Sequence, residues 1–401
     1  MNKNVDESRR DLLRMGGVGG VAAGIATLTP NLHAASSPNV RAVLTNNSAY
    51  FNVLDFGAVG DGVADDGIAI QRAIDAASLL EGSESEKNLK GGVVYLPAGI
   101  YLVDEIRLRR NITLMGEGMG TIVTQKDDTN TAVITNYSDL DYPVVITNLR
   151  IQGTKNPSDT GDSARGIVLR STSAFGGFTV PDGQHIIDQV WIEHTHADGI
   201  YVKRDCRGTL IKDCWIADSA TKSGIWLDGS DSTIVNTVSR GHKNIADKGE
   251  GGTGYKITSG NNRLLNCKAF FCRGGGFYYT GSRGNLSACE AQDNWFDGFR
   301  FTGNDTIVTG CLADSNQNAG IHIDPDGGFI AGMCFTGFNS FGRNVVQAAK
   351  PWVGQDVGLR ISEGNLNDSY FAGIVRNNNI EQFQQQAEAN TETQFNNIVI
   401  G

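Results

Sequence analysis

Six short segments of the chain place aromatic, cationic and imidazole side chains at the same position of a repeated pattern. In each segment a glycine is followed by four residues, of which the first and third are apolar; the glycines are Gly199, Gly224, Gly254, Gly276, Gly298 and Gly320. In a strand the first and third residues after the glycine face one side and the second and fourth face the other. The second residues are Tyr201, Trp226, Lys256, Tyr278, Arg300 and His322. We call this row of six side chains the outer file. Aromatic rings can stack on sugars and cations pair with carboxylates or sulfates, so the outer file predicts a groove for an acidic sugar polymer.

Three of these residues, Lys256, Tyr278 and Arg300, fall on successive strands, and their Cα atoms would span about 10 Å. β-Elimination of a uronate needs a base at C5, a cation that neutralises the carboxylate and an acid for the leaving oxygen. We predict Lys256 or Tyr278 as the base, Arg300 as the carboxylate clamp and His322 as the acid. C5 epimerisation shares the first half of this reaction.

The fourth residues of the same segments add carboxylates to the predicted groove. They are Lys203, Asp228, Thr258, Thr280, Thr302 and Asp324. Hydrolysis needs two carboxyl groups, and Asp324 and Asp326, two apart in a strand, would lie about 6.5–7 Å from each other, which fits inversion. The competing interpretation is that Asp324–Gly327 is a polar turn. Asp198 and Asp297, each directly before a motif glycine, are further carboxylate candidates.

The predicted substrate-binding residues are Tyr201, Lys203, Trp226, Asp228 and Asp326, and Asp324 joins the catalytic candidates. The alternative for the whole outer file is structural, because aromatic and β-branched side chains also serve on exposed strands for packing against inserted loops.

A metal site receives little support from the sequence. Glu193, His194 and His196 could contribute zinc ligands, but no further ligand follows at a matching spacing. Oxygen ligands for calcium exist at Asp228 with Asp231 and at Asp324 with Asp326, without a loop signature. We therefore predict no cofactor, with calcium as the alternative.

The spacing of the glycine motifs indicates how the chain positions these residues. The last four motif glycines recur every 22 residues, and the earlier gaps of 25 and 30 leave room for insertions. A fixed period of this length with one strand per unit is typical of a solenoid.

A second row of residues recurs once per unit and predicts an interior stack of small side chains: Val190, Cys214, Thr237, Cys267, Cys289, Cys311 and Cys334. Five residues after each lies a small polar residue suited to a hydrogen-bonded ladder between coils: Thr195, Ser219, His242, Cys272, Asn294, Asn316 and Asn339. One cysteine per coil favours free, buried thiols over disulfides or metal ligation. The place of His242 in the polar ladder predicts that it is a turn residue rather than a catalytic one.

The N-terminal part of the folded region carries a recognisable signature. It consists of DFGAVGDGVADD at residues 55–66, AIQRAIDAA at 69–77, GGVVYLPAG at 91–99 and LMGEG at 114–118. The periodicity of Ile70, Ala73, Ile74 and Ala77 predicts a helix from Ile68 to Leu80, capped by Asp65 or Asp66, followed by a polar loop over 81–90.

Residues 51–120 resemble the N-terminal signature of the pectate-lyase superfamily, which includes rhamnogalacturonase-like and mannuronan-epimerase-like proteins. The resemblance implies an all-β, single-stranded right-handed parallel β-helix, with the helix closing its open end and a substrate groove along one sheet. The chain lacks the Asn-Thr-Asp and Gly-His-Gly pattern of polygalacturonases. It also lacks the Asp-Pro-His-Glu run of mannuronan epimerases, and Tyr201–Arg204 stands at the similar coil position.

The first 35 residues predict an export signal. Arg9 and Arg10 precede a mildly apolar run over 15–28, and a cleavage site follows near Ala34, which is typical of the twin-arginine route. We expect a linker over 36–50 and one β-helix domain over 51–401, with looser coils over 341–401. The protein would be periplasmic, extracellular or cell-surface.

The overall composition narrows the class of partner. The net charge is −10 with no basic stripe, which argues against nucleic acid. No later segment is long and apolar enough to cross a membrane. We predict a polysaccharide or oligosaccharide substrate and lyase or C5-epimerase chemistry on a uronate polymer. The alternatives are a glycoside hydrolase or fructan-transferring enzyme that uses paired aspartates, and a non-catalytic glycan-binding surface protein.

Overall fold

A computed structural model describes residues 50–78, 91–136, 143–154, 163–171, 184–244, 251–343, 352–390 and 392–401. The predicted export signal over 1–35, the linker up to residue 49 and the polar loop over 81–90 lie outside the described residues. In the described ranges, no helix reaches the length and hydropathy needed to cross a membrane.

The described chain winds into stacked coils whose strands all pair in parallel, as the all-β parallel β-helix prediction requires. Most coils place two strands in a 21-stranded sheet and one strand in an 11-stranded sheet. The 11-stranded sheet comprises Ile106–Leu108, Ile134–Asn136, Ile167–Leu169, Ile200–Val202, Ile225–Leu227, Thr253–Ile257, Gly275–Tyr279, Phe299–Phe301, Ala319–Ile323, Val357–Ile361 and Glu381–Gln385.

The larger sheet forms the other walls of the solenoid. It comprises Tyr50–Asn52, Asp61–Asp65, Val93–Tyr95, Gly99–Val103, Thr113–Met115, Thr121–Gln125, Val145–Gln152, Ile186–Glu193, Leu210–Lys212, Trp215–Ala217, Thr233–Val235, Val238–Arg240, Arg263–Leu265, Lys268–Phe270, Asn285–Ser287, Glu290–Gln292, Ile307–Thr309, Leu312–Asp314, Cys334–Phe341, Tyr370–Arg376 and Gln394–Ile400. A third sheet of three strands comprises Phe329–Ala331, Asn365–Asn367 and Glu388–Ala389.

The first and third residues of the glycine motifs fill the core, as the alternation predicts. Tyr255, Phe277 and Phe299 lie on consecutive strands and are almost fully buried. Their rings stack with centroid distances of 4.6 Å and 4.7 Å, close to the spacing of the strands that carry them. The stacking fixes the register, because a slip of one residue would turn these rings to the outside.

The helix is described from Gly67 to Ser78, and the predicted end at Leu80 lies outside the described residues. The amide of Gly67 donates to Asp65 Oδ1 at 3.1 Å, so Asp65 acts as the cap. Ile70 and Ile74 are fully buried, and the helix contacts the strands Tyr50–Asn52, Val93–Tyr95 and Ile106–Leu108 at the N-terminal end of the solenoid. It therefore covers the core where the stack of coils begins. Two 3₁₀ turns lie at Val53–Phe56 and Gly118–Gly120.

The interior cysteine row follows the prediction up to Cys311 and then departs from it. Cys334 pairs with Ile307, and Leu312 pairs with Asn339, so Phe338 is the residue that succeeds Cys311 in the stack. The prediction for Cys334 was wrong because the segment between Ile323 and Cys334 is longer than in the preceding coil and contains the additional strand Phe329–Ala331. Cys334 stands near the repeat spacing from Cys311, but the longer segment shifts the register of the strand that carries it. All seven cysteines are free thiols.

The polar ladder shows the same change of register at its end. Cys272 donates its amide to Asn294 Oδ1 at 3.0 Å, and Asn294 donates its amide to Asn316 Oδ1 at 3.2 Å. Asn316 then donates to Gln355 Oε1 at 3.3 Å, so Gln355 continues the ladder in place of the predicted Asn339. His242 is buried in this ladder and accepts from the Ser219 amide at 3.2 Å, which agrees with its assignment as a turn residue.

Candidate functional site

The six side chains of the outer file lie on one face of the 11-stranded sheet. The backbone register pairs Tyr201 with Trp226, then Lys256, Tyr278, Arg300 and His322 in order. The file continues through Val168, Thr135 and Arg107 towards the N-terminal end and through Arg360 towards the other end. The structure thus places the candidates in one line. It divides them into a first cluster around Tyr201 and Trp226 and a second cluster around Arg300 and His322.

The first cluster is built around two stacked rings. The centroids of Tyr201 and Trp226 are 4.3 Å apart with planes inclined by 20°. Arg165 lies over Tyr201 at 5.0 Å from its centroid, and Lys256 lies over Trp226 at 4.9 Å. The ring contacts therefore run along the file, from cation to ring to ring to cation, instead of presenting open faces for a sugar. This arrangement favours packing as the role of these two faces and leaves the ring edges towards the solvent.

Lys256 and Arg300 do not converge over Tyr278. Lys256 leans towards Trp226 on one neighbouring strand, whereas the Arg300 guanidinium lies 5.5 Å from the centroid of the Tyr278 ring. Arg300 is also bound to the carboxylate of Asp324, which is 5% exposed. Its charge is therefore already neutralised, which removes much of its capacity to act as a carboxylate clamp.

The remaining predicted carboxylates have protein partners. Thr258 donates its hydroxyl to Asp228 at 2.6 Å and accepts from Trp226 Nε1 at 3.0 Å. Asp326 is exposed, has a φ of 52°, and donates its amide to Asp324 Oδ1 at 3.1 Å. Asp324 and Asp326 thus belong to a turn, the competing interpretation of this pair.

A basic cleft opens at the N-terminal side of Tyr201. Its walls include Arg107, Arg165, Arg170, Tyr201 and Lys203. Arg165 pairs with the buried carboxylate of Asp198 at 2.8 Å. Arg107 pairs with the acidic residue of the cleft, Glu105.

Arg170 and Lys203, the other two cations of this cleft, have no carboxylate within ion-pair distance in the part of the chain that the structure describes. Their backbones lie on adjacent strands, because the Lys203 amide donates to Leu169 at 3.0 Å. Arg170 Nε is buried without a hydrogen-bond partner among the described residues. Because neither cation has a carboxylate partner in these ranges, the pair is suited to an anionic group from outside the protein.

The cleft shifts the pKa values of Lys203 and Tyr201 in opposite directions. Burial, and then the charges of Arg170 and Arg165, lower the pKa of Lys203. Burial, and then the charge of Asp228, raise the pKa of Tyr201. The amine is therefore biased towards its neutral, basic form and the phenol towards its protonated form.

Arg165 and Arg170 were missed at the sequence level, although the signal was present. Gly166-Ile-Val-Leu-Arg170 fits the glycine motif, but it lies 33 residues before Gly199, outside the regular spacing. Gly358-Leu-Arg-Ile-Ser362 fits it equally and lies 38 residues after Gly320. Long insertions between coils hide such repeats.

No group of three His, Cys, Asp or Glu side chains within the described ranges could hold a metal ion. Glu193 instead binds Arg150 and accepts from Trp191 Nε1 at 2.7 Å. Asp231 accepts from Asn261 at 3.0 Å.

The observed fold agrees with the families that the sequence matches. Residues 50–271 match the family described as rhamnogalacturonase A/epimerase, pectate lyase-like, and residues 198–351 match the right-handed β-helix region. The chain belongs to the pectate lyase-like family. Its fold is therefore the right-handed parallel β-helix that the resemblance implies.

Among curated proteins, mannuronan C5-epimerase AlgE6 of Azotobacter vinelandii is 44% identical over 93 residues, which is 21% of this chain and 10% of the relative. Alginate lyase 7 of the same organism is 43% identical over 86 residues, which is 20% of this chain and 9% of the relative. The similarity thus spans only about a tenth of the length of these two relatives.

Among solved structures, the A-module of AlgE6 from Azotobacter vinelandii superposes with a TM-score of 0.61 at 19% identity, covering 88% of this chain and 98% of that chain. The catalytic unit of an α-1,3-glucanase from Streptomyces thermodiastaticus gives a TM-score of 0.52 at 14% identity, covering 87% and 69%. At these identities the similarity establishes the fold.

Proposed function

We propose that this pectate lyase-like protein removes the C5 proton of a uronate residue in a polysaccharide, as a lyase or a C5 epimerase, and that the reaction takes place in the basic cleft. The observation that carries the proposal is the pair Arg170 and Lys203, two cations beside Tyr201 without a carboxylate partner in the described chain. The site thus lies several strands from Arg300, which pairs with Asp324, and from His322, which is hydrogen-bonded to Asp297.

Each residue of the cleft has a role in this proposal. Arg170 binds the uronate carboxylate and withdraws its charge, which makes the C5 proton easier to remove. Lys203, with its lowered pKa, is the base that takes this proton. Tyr201, which keeps its proton because its pKa is raised, donates it to the leaving glycosidic oxygen in elimination or returns it to C5 from the opposite face in epimerisation.

The similarity to mannuronan C5-epimerases and to an alginate lyase supports a uronate as the substrate. Both named activities begin with removal of the same proton. Arg165 helps to position Tyr201, because its ion pair with buried Asp198 holds the guanidinium against the face of the Tyr201 ring.

The test measures the wild-type protein and three variants on alginate, pectate and glycosaminoglycans. A lyase forms an unsaturated product that absorbs ultraviolet light. An epimerase incorporates deuterium at C5 in heavy water and forms no such absorbing product. Lys203→Met and Arg170→Met should each lower turnover at least about a hundredfold. Lys212→Met is the matched control, because Lys212 lies in the other sheet and pairs with Asp188 at 2.9 Å.

Near-normal turnover in both cleft variants would contradict the assignment of the site. If the wild-type protein binds one of the polymers in affinity electrophoresis but turns none of them over, the non-catalytic glycan-binding alternative replaces the enzyme.

We also propose export by the twin-arginine route. Replacement of Arg9 and Arg10 by Lys should retain the protein in the cytoplasm of a host with that pathway, and fractionation followed by immunoblotting measures the change. Unchanged export of the variant would refute the proposal.

A further inference from the structure

Around His322, the last of the six residues of the outer file, a serine, a histidine and an aspartate form a hydrogen-bonded chain. His322 Nε2 lies 2.6 Å from Ser362 Oγ, and His322 Nδ1 lies 2.7 Å from Asp297 Oδ2. The three residues come from three successive coils, since Asp297 precedes the strand Phe299–Phe301, His322 lies in Ala319–Ile323 and Ser362 follows Val357–Ile361. The proposed uronate chemistry does not use this cluster.

The hydrogen bonds around Asp297 determine which way the imidazole is protonated. Asp297 Oδ1 accepts from the Ala319 amide at 3.0 Å and from Asn318 Nδ2 at 2.7 Å. Burial raises the pKa of Asp297, but the hydrogen bonds from His322 and from the Ala319 amide, together with nearby positive charge, outweigh it, so the pKa lies below its ordinary value. An ionised carboxylate only accepts, so Nδ1 of His322 donates to it, and in the neutral ring Nε2 is then free to accept the proton of Ser362.

Burial decreases from the aspartate and histidine to the serine, and nucleophilic catalysis requires a fixed base beside an accessible hydroxyl. Asp297 and His322 are 6% and 7% exposed, whereas Ser362 is only partly buried. The base is thus held in a dry, fixed position and the hydroxyl remains accessible from the outer face of the sheet.

The backbone at Ser362 is also fixed. Gly364 has a φ of 138°, and a Cβ there would come within 2.5 Å of Pro325 Cβ, so only glycine fits this close turn. The Ser362 amide donates to Ile323 at 3.0 Å, and the Glu363 carbonyl accepts from Gly327 at 3.0 Å. The Glu363 amide donates to no group within the described residues, so the N–H directly after the serine is available to an oxyanion.

We propose that Ser362, His322 and Asp297 form a nucleophilic triad that hydrolyses O-acyl esters on sugars, an activity separate from the proposed uronate chemistry. His322 lies five strand spacings from Tyr201, about 24 Å along the same file. A polymer bound along this sheet would therefore reach both sites at different residues of its chain.

The reaction proceeds in two balanced steps. Ser362 Oγ attacks the ester carbonyl while His322 Nε2 takes its proton. The tetrahedral intermediate collapses to an acyl-serine and expels the sugar oxygen, which takes that proton. Water then attacks the acyl-serine with His322 as the base again, releasing the carboxylic acid and restoring the serine hydroxyl. Asp297 is a positioning residue that holds the imidazole in the required tautomer.

The test uses the full chain with p-nitrophenyl acetate, glucose pentaacetate and a fluorophosphonate that labels activated serines. We expect hydrolysis of both esters and one label, which mass spectrometry places on Ser362. Ser362→Ala should lose the label and at least about a thousandfold of the esterase turnover. Asp297→Asn should retain the thermal midpoint and lose about ten-thousandfold, because the amide donates to Nδ1 and leaves Nε2 protonated.

Ser287→Ala is the control, because Ser287 is a half-buried serine on the other sheet. It should keep both the label and the turnover. Absence of the label from folded wild-type protein, or ester hydrolysis by Ser362→Ala within twofold of wild type, would overturn the triad. Loss of uronate turnover in the cleft variants leaves this result unaffected, so the two proposals fail separately.

Discussion

The ion pair beneath the basic cleft offers a direct test of what holds Tyr201 in place. Asp198 is 1% exposed, and it accepts from Arg165 Nε at 2.8 Å and from the Ser223 amide at 3.0 Å. Arg165→Met removes the cation and leaves a buried carboxylate with one amide donor. Breaking a buried pair on one side costs about 3–5 kcal/mol of unfolding free energy, whereas breaking an exposed pair costs under about 1 kcal/mol.

The direction of the pH dependence follows from the pKa of Asp198. Burial raises this pKa, and the charge of Arg165 opposes the rise. A carboxyl with a raised pKa in the folded state stabilises the fold less as the pH increases through that pKa, because the unfolded chain then releases its proton more readily. Without Arg165 the pKa of Asp198 rises further, because only the Ser223 amide and the charge of Lys256 still oppose burial. The cost of Arg165→Met should therefore be small in acid and largest at neutral pH.

Urea denaturation followed by tryptophan fluorescence, at several pH values, measures the change. Lys212→Met breaks the more exposed pair with Asp188 and serves as the control. Arg165→Met combined with Asp198→Asn should recover part of the loss at neutral pH. If Arg165→Met costs no more than Lys212→Met, or if its cost does not depend on pH, the buried pair does not stabilise this coil in the way described.

The other buried groups lead to two further expectations. Burial lowers the pKa of His242 to about 3, so its contribution to stability is present above its unfolded pKa of 6.5 and is lost as the pH falls towards 3. His242→Asn should make urea midpoints less sensitive to pH between these values, and an unchanged slope would contradict this. Burial raises the pKa of the Cys206, Cys214 and Cys272 thiols to about 12, so they should react with a disulfide reagent only after unfolding; rapid reaction of the native protein at these positions would show that the core is open.

Much of the fold could be predicted because it repeats. The alternation in Ile200–Val202 or Phe299–Phe301 fixes which side chains enter the core, and the repeated period fixes which residues become neighbours on adjacent coils. The cysteine row and the polar ladder followed from the same period. They failed at Cys334 and Asn339, which stand near the expected spacing only by coincidence. The longer segment after Ile323 moves the next member of the stack to Phe338, and Gln355 continues the ladder.

The candidate site was less predictable from the sequence. The residue types of the outer file placed Lys256, Arg300 and His322 in one line, but a line does not say which charges compensate each other. Asp297 is the partner of His322 across one coil, and Ser362 comes from the next coil after a long insertion. A long side chain can reach several neighbouring residues, and the one with which it pairs depends on differences of a few ångströms in the distances between coils.

The sequence by itself determined the parallel β-helix, its N-terminal helix and the order of side chains along each file, because these depend on periodicities of two residues and of one coil. Only the tertiary structure decided that Arg300 is neutralised by Asp324, that Arg170 and Lys203 are not neutralised in the described chain, and that a serine reaches His322. The physical reason is that charge compensation and hydrogen bonding act through space over about 3 Å, between residues tens of positions apart, and no local pattern encodes such distances.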